Sequence, residues 1–187
     1  MAYTVPQSAS TPAALPFQPL GGQPAFTPDD LEAFVSGRRV AVLAYVRHDG
    51  RPHQSPIWYT HRDGVFFMTT VTGSPKHRAL RRDSRVSLTI QDERPPYRAV
   101  ILEGTVDLTP LDAKNDPTAG MAIRYFGRVG AAEYDRLTPE TYESNGLTLI
   151  TMRTTAVRGF DNTHALSRTA LAFVRLREHL PLPRRWL

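Results

Sequence analysis

The chain has 187 residues, 41% of them hydrophobic, a formal net charge of +5 and no cysteine. That length suits one domain with a substantial core. The lack of cysteine excludes disulfides, thiolate zinc sites and a cysteine nucleophile. No apolar run approaches the roughly 20 residues of a membrane helix, and the first residues lack a signal-peptide pattern, so we expect a cytoplasmic protein without a membrane partner.

Both ends of the chain differ in composition from the middle. Residues 1–26 carry five prolines among Ser, Ala, Gly and Gln, which predicts a flexible Pro-rich or partly docked arm. Thr27 and Pro28 then predict the N-cap and first turn of a helix that runs to about Val35. In residues 162–187, apolar side chains recur at helical spacing. This C-terminal pattern favours a helix docked on its own domain or on a partner over a membrane-surface or nucleic-acid role.

Residues 27–161 hold a series of short apolar runs that favour β-strands. Asp-Gly turns separate the first three runs, and a helical segment precedes the last one. In the fifth run, apolar residues alternate with polar ones, so one face of that strand is buried. The series predicts mainly β structure with some α, as an antiparallel barrel with flanking helices. The predicted strands are Arg39–Val46, His53–Thr60, Val65–Thr70, Arg85–Gln91, Arg98–Leu108 and Leu147–Val157.

The segment that follows the third strand is a candidate phosphate site. Ser74 and Pro75 are a favoured N-cap and first helical residue, so a helix is predicted to begin there. The first helical turn leaves backbone N–H groups unpaired and favours an anion, with Lys76 and Arg78 close by. Lys76 is one of only two lysines in the chain, whose other Lys and Arg residues are all arginines. The alternative is a solvated basic helix that joins two strands.

Other chemistries find little support in the sequence. The glycines form neither a dinucleotide-binding fingerprint nor a P-loop, and no serine sits in a nucleophile elbow. His53 and His61 are eight residues apart on one extended run, a distance of over about 20 Å, so no metal site is predicted. The positive charge fits nucleic acid in principle, but it also suits an anionic cofactor. We therefore expect no nucleic-acid partner.

The order of these pieces resembles a known family. A hairpin, a strand, the block Thr72–Asp83, a strand and then Ala99–Val106 look like the split-barrel flavin-binding proteins related to pyridoxamine phosphate oxidase. Within that family the chain most resembles the actinobacterial branch that uses the deazaflavin coenzyme F420. The resemblance runs from about Pro28 to about Asp161. Its matching pieces are Asp49–His53, Ser55–Trp58, Lys76–Asp83 and Glu103–Thr105.

The resemblance also implies where a cofactor lies. Its ring is expected along the second strand, facing the backbone of four residues there. Two threonines of the third strand are expected to bond the ribityl chain or the phosphate, although ordinary strand pairing is the alternative for them. The phosphate itself is expected at the start of the short helix. The implied residues are Ser55, Pro56, Ile57 and Trp58 for the ring, Thr69 and Thr70 for the chain, and Ser74, Lys76 and Arg78 for the phosphate.

The resemblance further implies a homodimer with shared sites. The second subunit would bring Gln91–Tyr97 to the site, so that Arg94 or Tyr97 touches the ring or the substrate. No catalytic residue is assigned, since the weak proton-donor candidate Tyr59 faces whichever side the strand register dictates.

Two classes of function follow from the resemblance. The first is an oxidoreductase that transfers hydride between reduced F420 and a small conjugated substrate, or uses FMN instead. The second is a non-catalytic flavin or haem binder. The absence of an obvious axial ligand disfavours haem, although His53 keeps that option open.

Overall fold

The computed structural model describes residues 17–20, 26–137, 146–163 and 166–179. Strands account for more of this part of the chain than helices do. They are β1 (Phe17–Pro19), β2 (Ala41–Val46), β3 (Pro52–Ile57), β4 (Thr60–Arg62), β5 (Val65–Val71), β6 (Arg85–Gln91), β7 (Arg98–Pro110) and β8 (Leu147–Asp161). The helices are α1 (Pro28–Ser36), α2 (Pro75–Arg82), α3 (Met121–Leu137) and α4 (Arg168–His179).

The eight strands form one sheet in the order β3-β2-β6-β7-β8-β5-β4, and β1 pairs with β8. All pairs are antiparallel except β1 with β8. The two end strands, β3 and β4, follow each other in the chain and are joined only by Trp58 and Tyr59. Because two residues span so short a distance, the sheet has to curve until its two ends meet there. The predicted antiparallel split barrel with flanking helices is thereby confirmed.

The core lies inside this curved sheet. Alternate residues of β2 point inwards, and Ala41, Leu43 and Tyr45 are all buried. Strand alternation places one side-chain row of each neighbouring strand in the same interior. Further members of the core are Leu88, Ile90, Val100, Leu102, Ile150 and Met152. Two helices cover it, α1 through Phe34 and Val35 and α2 through Ala79 and Leu80.

A close approach between β7 and β8 explains one glycine. The register shifts between Glu103 and Gly104, where Glu103 pairs with Ala156 and Gly104 pairs with Thr154. A Cβ atom at Gly104 would lie 2.0 Å from the carbonyl oxygen of Arg153. Only glycine lets the two backbones come so close. The longest strand pair of the sheet therefore depends on this residue.

The helix starts predicted from the sequence are confirmed. Thr27 caps α1, and its hydroxyl accepts a hydrogen bond from the Asp30 N–H at 3.2 Å. The predicted strand His53–Thr60 is wrong in one respect: it divides into β3 and β4, because the chain turns from one end of the sheet to the other at Trp58 and Tyr59.

The two chain ends are described only in part. Residues 17–19 of the predicted arm form β1, and Phe17 packs edge-on against Phe26, so this piece belongs to the sheet. The rest of the arm, except residues 20 and 26, lies outside the described residues. At the other end, three large apolar side chains are exposed: Leu166, just before α4, and Phe173 and Leu176 within α4. The helix predicted within residues 162–187 is present as α4, and what it docks on stays a prediction, since residues 164–165 and 180–187 lie outside the described residues. No helix in the described ranges is long and apolar enough to cross a membrane.

Candidate functional site

One cleft of about 240 Å³ lies where the sheet ends meet α2 and α3. Five of the predicted cofactor-binding residues line it: Pro56, Ile57, Trp58, Thr69 and Lys76. The rest of its lining comes from Val40, which precedes β2, and from Met121 and Tyr134 of α3. The structure thus brings the end of the second strand, the third strand and the short helix to one place, which is the grouping of elements that the resemblance implies.

The start of α2 has the predicted capping geometry. The Ser74 hydroxyl accepts a hydrogen bond from the His77 N–H at 3.1 Å, and Pro75 is the first helical residue. Ser74 also lies 3.2 Å from the Thr70 hydroxyl. Because Thr70 is buried in β5, this contact ties the helix start to the sheet. The partial positive charge of the helix N-terminus is therefore held at a fixed point beside the cleft.

Lys76 presents an ammonium group to the cleft. Its side chain is half buried, and burial lowers the pKa of that ammonium below its usual value. Within the described part of the chain, no carboxylate pairs with it and no hydrogen bond satisfies it. A partly desolvated cation without an acidic partner attracts an anion. The charge of Lys76 thus favours binding of a phosphate or a carboxylate in the cleft.

Arg78 lies at the edge of this arrangement. Its side chain is exposed and donates a hydrogen bond to the Gly73 carbonyl, and it does not line the cleft. Gly73 itself has a positive φ of 77°, which places the turn before α2 in a conformation that favours glycine. Arg78 therefore shapes this turn in addition to adding positive charge near it.

The end of β3 supplies backbone groups. In the described part of the sheet β3 pairs only with β2, so its other edge carries no strand partner. Ser55 pairs with Leu43 and faces the interior, and its side chain is not part of the cleft lining. Pro56 contributes only a carbonyl, since proline has no N–H. Within the described sheet, the end of β3 therefore places unpaired backbone groups beside the cleft.

Sequence reasoning missed a group of aromatic residues in α3. The Trp58 indole stacks on Tyr125 at a centroid distance of 4.8 Å and an interplanar angle of 10°. Phe126 meets the same indole edge-on at 5.0 Å, and Tyr134 lies at 5.2 Å. A glycine inside an aromatic-rich helical segment was the available signal, since such a glycine often has a packing reason.

The proton-donor candidate Tyr59 is excluded from the cleft. Its side chain is fully buried, and its hydroxyl donates to the Val35 carbonyl at 2.8 Å. Burial raises the pKa of this phenol well above its usual value. The turn between β3 and β4 points Trp58 to the cleft and Tyr59 to the core, which strand alternation alone left undecided.

Arg94 and Tyr97 lie elsewhere in this chain. They belong to the loop between β6 and β7, and Tyr97 lines a second cleft with Gln91, Glu93 and Phe160. This loop begins at Asp92, whose two carboxylate oxygens lie 2.7 Å from Arg39 Nε and 2.7 Å from Arg98 Nε. The first cleft therefore contains neither predicted residue from its own chain, and a role for them stays a prediction about a second subunit.

Solved structures with a similar fold come from several bacteria. A conserved hypothetical protein of Mycobacterium tuberculosis matches with a TM-score of 0.60 and 24% identity, over 79% of this chain and 92% of its own. A FAD-binding protein of Mesorhizobium loti matches with a TM-score of 0.52 and 17% identity, over 72% and 94%. At these identities the likeness shows the fold alone. An F420 reductase has 25% identity over 67% and 94%, but its TM-score of 0.48 supports no argument about the cofactor.

The family itself follows from a sequence match. The family model described as pyridoxamine 5'-phosphate oxidase matches residues 27–161, which include the whole cleft as well as the loop with Arg94 and Tyr97. The match covers most of the chain and agrees with the split barrel described above. The chain therefore belongs to the pyridoxamine 5'-phosphate oxidase family.

Proposed function

We propose that this protein is an oxidoreductase that binds a flavin-type cofactor in the cleft between β3, β5, α2 and α3. The observation that carries the proposal is Lys76, a half-buried cation that lines the cleft with no acidic partner among the described residues. A partly buried cation without an acidic partner does not stabilise the folded protein by itself. The position of Lys76 is therefore better explained by an anionic ligand than by a role in stability.

The residues around the cleft fit such a cofactor. The phosphate would lie at the start of α2, near Ser74 and Lys76, with Arg78 adding positive charge from its exposed position. Thr69 lines the cleft between this point and β3, and the free edge of β3 would face the ring. When bound, the cofactor supplies hydride transfer, while the protein positions the ring and excludes water.

Among flavin-type cofactors we favour F420, with FMN as the alternative. Arg78, Arg81 and Arg82 follow Lys76 on α2, and all three are exposed. They offer positive charge to the acidic oligoglutamate tail of F420, which FMN lacks. Raising the salt concentration should then weaken F420 binding more than FMN binding. Equal salt dependence, or tighter binding of FMN, would reverse the choice of cofactor.

The substitution Lys76→Ala tests the cofactor site directly. We expect it to weaken cofactor binding by about 1.5 to 3 kcal/mol, the scale of a hydrogen bond to a charged group. The measurement is a fluorescence titration with F420 and with FMN. Lys114→Ala is the matched control, because Lys114 is the other lysine of the chain and is exposed away from the cleft. Unchanged affinity in Lys76→Ala would place the phosphate elsewhere.

We also propose that the site is shared in a homodimer. Tyr97 is 51% exposed and lines a cleft on a part of the chain away from Lys76, which suits a residue that completes the partner's site. Mixing a Lys76→Ala chain with a Tyr97→Ala chain tests this arrangement. In the mixed dimer one site carries both defects and the other carries neither, so about half of its sites should bind cofactor normally. No recovery over the parent dimers, or a monomer with full affinity, contradicts the proposal.

The non-catalytic alternative has less support. His53 is exposed on β3, and no histidine lines the cleft among the residues described, so haem finds no evident ligand there. Oxidation of the reduced cofactor upon addition of a conjugated ketone or quinone would distinguish a small-molecule oxidoreductase from a flavin carrier.

A further inference from the structure

The cleft wall contributed by α3 has an unusual origin. Gly127 interrupts the helix with a φ of 72° and a ψ of 175°, a backbone conformation that is nearly restricted to glycine. A Cβ atom at this position would meet no atom within 4 Å. Glycine is therefore required here by the direction of the chain and not by lack of space.

This interruption brings two tyrosines to the same indole. In a straight α-helix Tyr125 and Tyr134 would lie about 13 Å apart along the axis and about 180° apart around it. Their rings nevertheless lie 4.8 Å and 5.2 Å from the Trp58 ring. The turn at Gly127 folds the second half of α3 back, so that Tyr134 reaches Trp58 and the cleft.

The two halves of α3 differ in how they are held. In the first half, Arg124 donates to the carbonyls of Ser36 and Gly37 at 2.7 Å each, and the Tyr125 hydroxyl donates to the Arg39 carbonyl at 2.7 Å. In the second half, Val129 is 89% exposed, while Tyr134 lines the cleft. The first half thus anchors the helix, and the second half positions a single aromatic side chain.

From this geometry we infer that Tyr134, together with Trp58, determines substrate specificity, and that it selects a flat conjugated ring. This inference rests on the proposed function and adds a substrate class to it. Trp58 and Tyr134 meet at an interplanar angle of 49°, and Met121, a buried and polarisable side chain, completes this wall. Two tilted aromatic rings and a thioether favour a flat π-system, which gains stacking and sulfur contacts that a puckered ring does not.

Gly127 acts as a positioning residue in this assignment. It does not line the cleft, but the backbone conformation that it supplies, with a φ of 72° and a ψ of 175°, directs the second half of α3 so that Tyr134 faces the cleft. The substitution Gly127→Ala should therefore act like loss of the Tyr134 ring.

The test measures binding to protein loaded with oxidised cofactor by calorimetry. The flat probe is 2,3-dimethyl-1,4-naphthoquinone, and the puckered control is 2-cyclohexen-1-one. We expect Tyr134→Leu to weaken the flat probe about 3- to 10-fold, the range for one aromatic pair, while cyclohexenone binding and cofactor affinity change less than about two-fold. Tyr134→Phe keeps the ring and should bind the flat probe nearly as wild type does. Gly127→Ala should reproduce the loss seen in Tyr134→Leu.

Phe126→Leu is the matched control. Phe126 touches the same indole at 5.0 Å and the Tyr134 ring at 5.3 Å but does not line the cleft, so its replacement should weaken probe binding clearly less than Tyr134→Leu does. Equal losses in Phe126→Leu and Tyr134→Leu would show that packing of the whole aromatic group matters and that Tyr134 does not itself select the ligand, which overturns the inference. A fall in cofactor affinity with unchanged probe binding in Tyr134→Leu would assign Tyr134 to the cofactor, which also overturns the inference.

Failure of the proposed function gives a different result. If the wild-type protein binds neither F420 nor FMN, the cofactor assignment is wrong. The aromatic wall is then tested in the protein alone, in a Trp186→Phe background where Trp58 is the one remaining tryptophan. Quenching of its fluorescence by the flat probe, weakened in Tyr134→Leu, supports the inference, and quenching unaffected by that substitution contradicts it.

Discussion

The two walls of the cleft are built by different physical means. The sheet wall, defined by Pro56, Ile57, Thr69 and Lys76, is set by strand pairing and by a capped helix that is hydrogen-bonded to β5. The helix wall, defined by Met121 and Tyr134, depends on a few long-range hydrogen bonds and one glycine turn.

This difference indicates a division of labour. Paired strands have little freedom to move independently, because their register is fixed by the core on one face. A broken helix with a largely exposed second half can be altered with little cost to the fold. Under the proposed function, a wall of the first kind would hold the cofactor, which is the same in every turnover, and a wall of the second kind would select the substrate. Predictions that disturb one wall and leave the other intact test this comparison.

The largest effect is expected at Gly104. In Gly104→Ala the added Cβ would lie 2.0 Å from the Arg153 carbonyl oxygen, so β7 and β8 must separate locally. We expect a loss of about 3 kcal/mol in the free energy of unfolding, with cofactor affinity falling as the sheet wall loosens. Urea denaturation measures the loss. Thr105→Ala, an exposed neighbour on β7, serves as the control and should stay within about 0.5 kcal/mol of wild type. A fully stable Gly104→Ala protein would contradict the tight register of β7 and β8.

The next effect concerns the anchor of the helix wall. Arg124→Met keeps the length of the side chain but removes the donors to the carbonyls of Ser36 and Gly37. We expect a loss of about 2 kcal/mol in stability and weaker binding of flat probes, with cofactor affinity unchanged. Arg128→Met is the control, since Arg128 is exposed on the same helix. Loss of cofactor affinity in Arg124→Met would mean that the two walls are not independent.

The same difference explains how much the sequence predicts. Ser74 and Pro75 act through their nearest neighbours, so the cap of α2 and the position of Lys76 follow from local rules. The alternation in β7 likewise predicts its buried face, with Val100, Leu102 and Val106 all buried.

Long-range geometry is what sequence reasoning could not supply. Trp58 and Tyr59 both favour strands, so the local sequence does not predict a turn between them. The turn is a property of the whole sheet, because these two residues join its two end strands. Tyr134 reaches Trp58 only through the φ of Gly127, and a glycine in a helical pattern predicts an interruption without its direction. The sheet wall was therefore predictable and the helix wall was not.

A pH-dependent effect should be confined to the sheet wall. Burial lowers the pKa of the Lys76 ammonium, so this group loses its proton at a lower pH than an exposed lysine does. An anionic cofactor binds the protonated form better. Affinity should therefore be full below that pKa and fall as the pH rises through it, by up to about ten-fold per pH unit.

The control for this pH profile is Lys76→Arg. A guanidinium stays charged throughout the accessible range, so the variant should lose the part of the pH dependence that comes from residue 76. Cofactor affinities of both proteins are measured by fluorescence from about pH 7 to about pH 10. Identical profiles would show that Lys76 does not carry the charge that the cofactor recognises. Binding of the flat probe to the helix wall should show no corresponding difference between the two proteins.

The smallest effect on stability is expected at Ser74, where two substitutions distinguish a role in capping α2 from a role in ligand binding. Ser74→Ala removes the acceptor for the His77 N–H and the contact with Thr70, which should cost about 1 kcal/mol. Ser74→Asp keeps the cap, since aspartate is a good N-cap and its charge interacts favourably with the helix dipole, so stability should be retained. The same carboxylate would repel a phosphate bound at the start of α2, so cofactor affinity should fall further in Ser74→Asp than in Ser74→Ala. Thermal unfolding should therefore rank Ser74→Asp above Ser74→Ala in stability, while the titration should rank Ser74→Asp below Ser74→Ala in cofactor affinity. If affinity instead follows stability, Ser74 acts only as a cap, and the anion that Lys76 attracts binds farther along the cleft, towards β3.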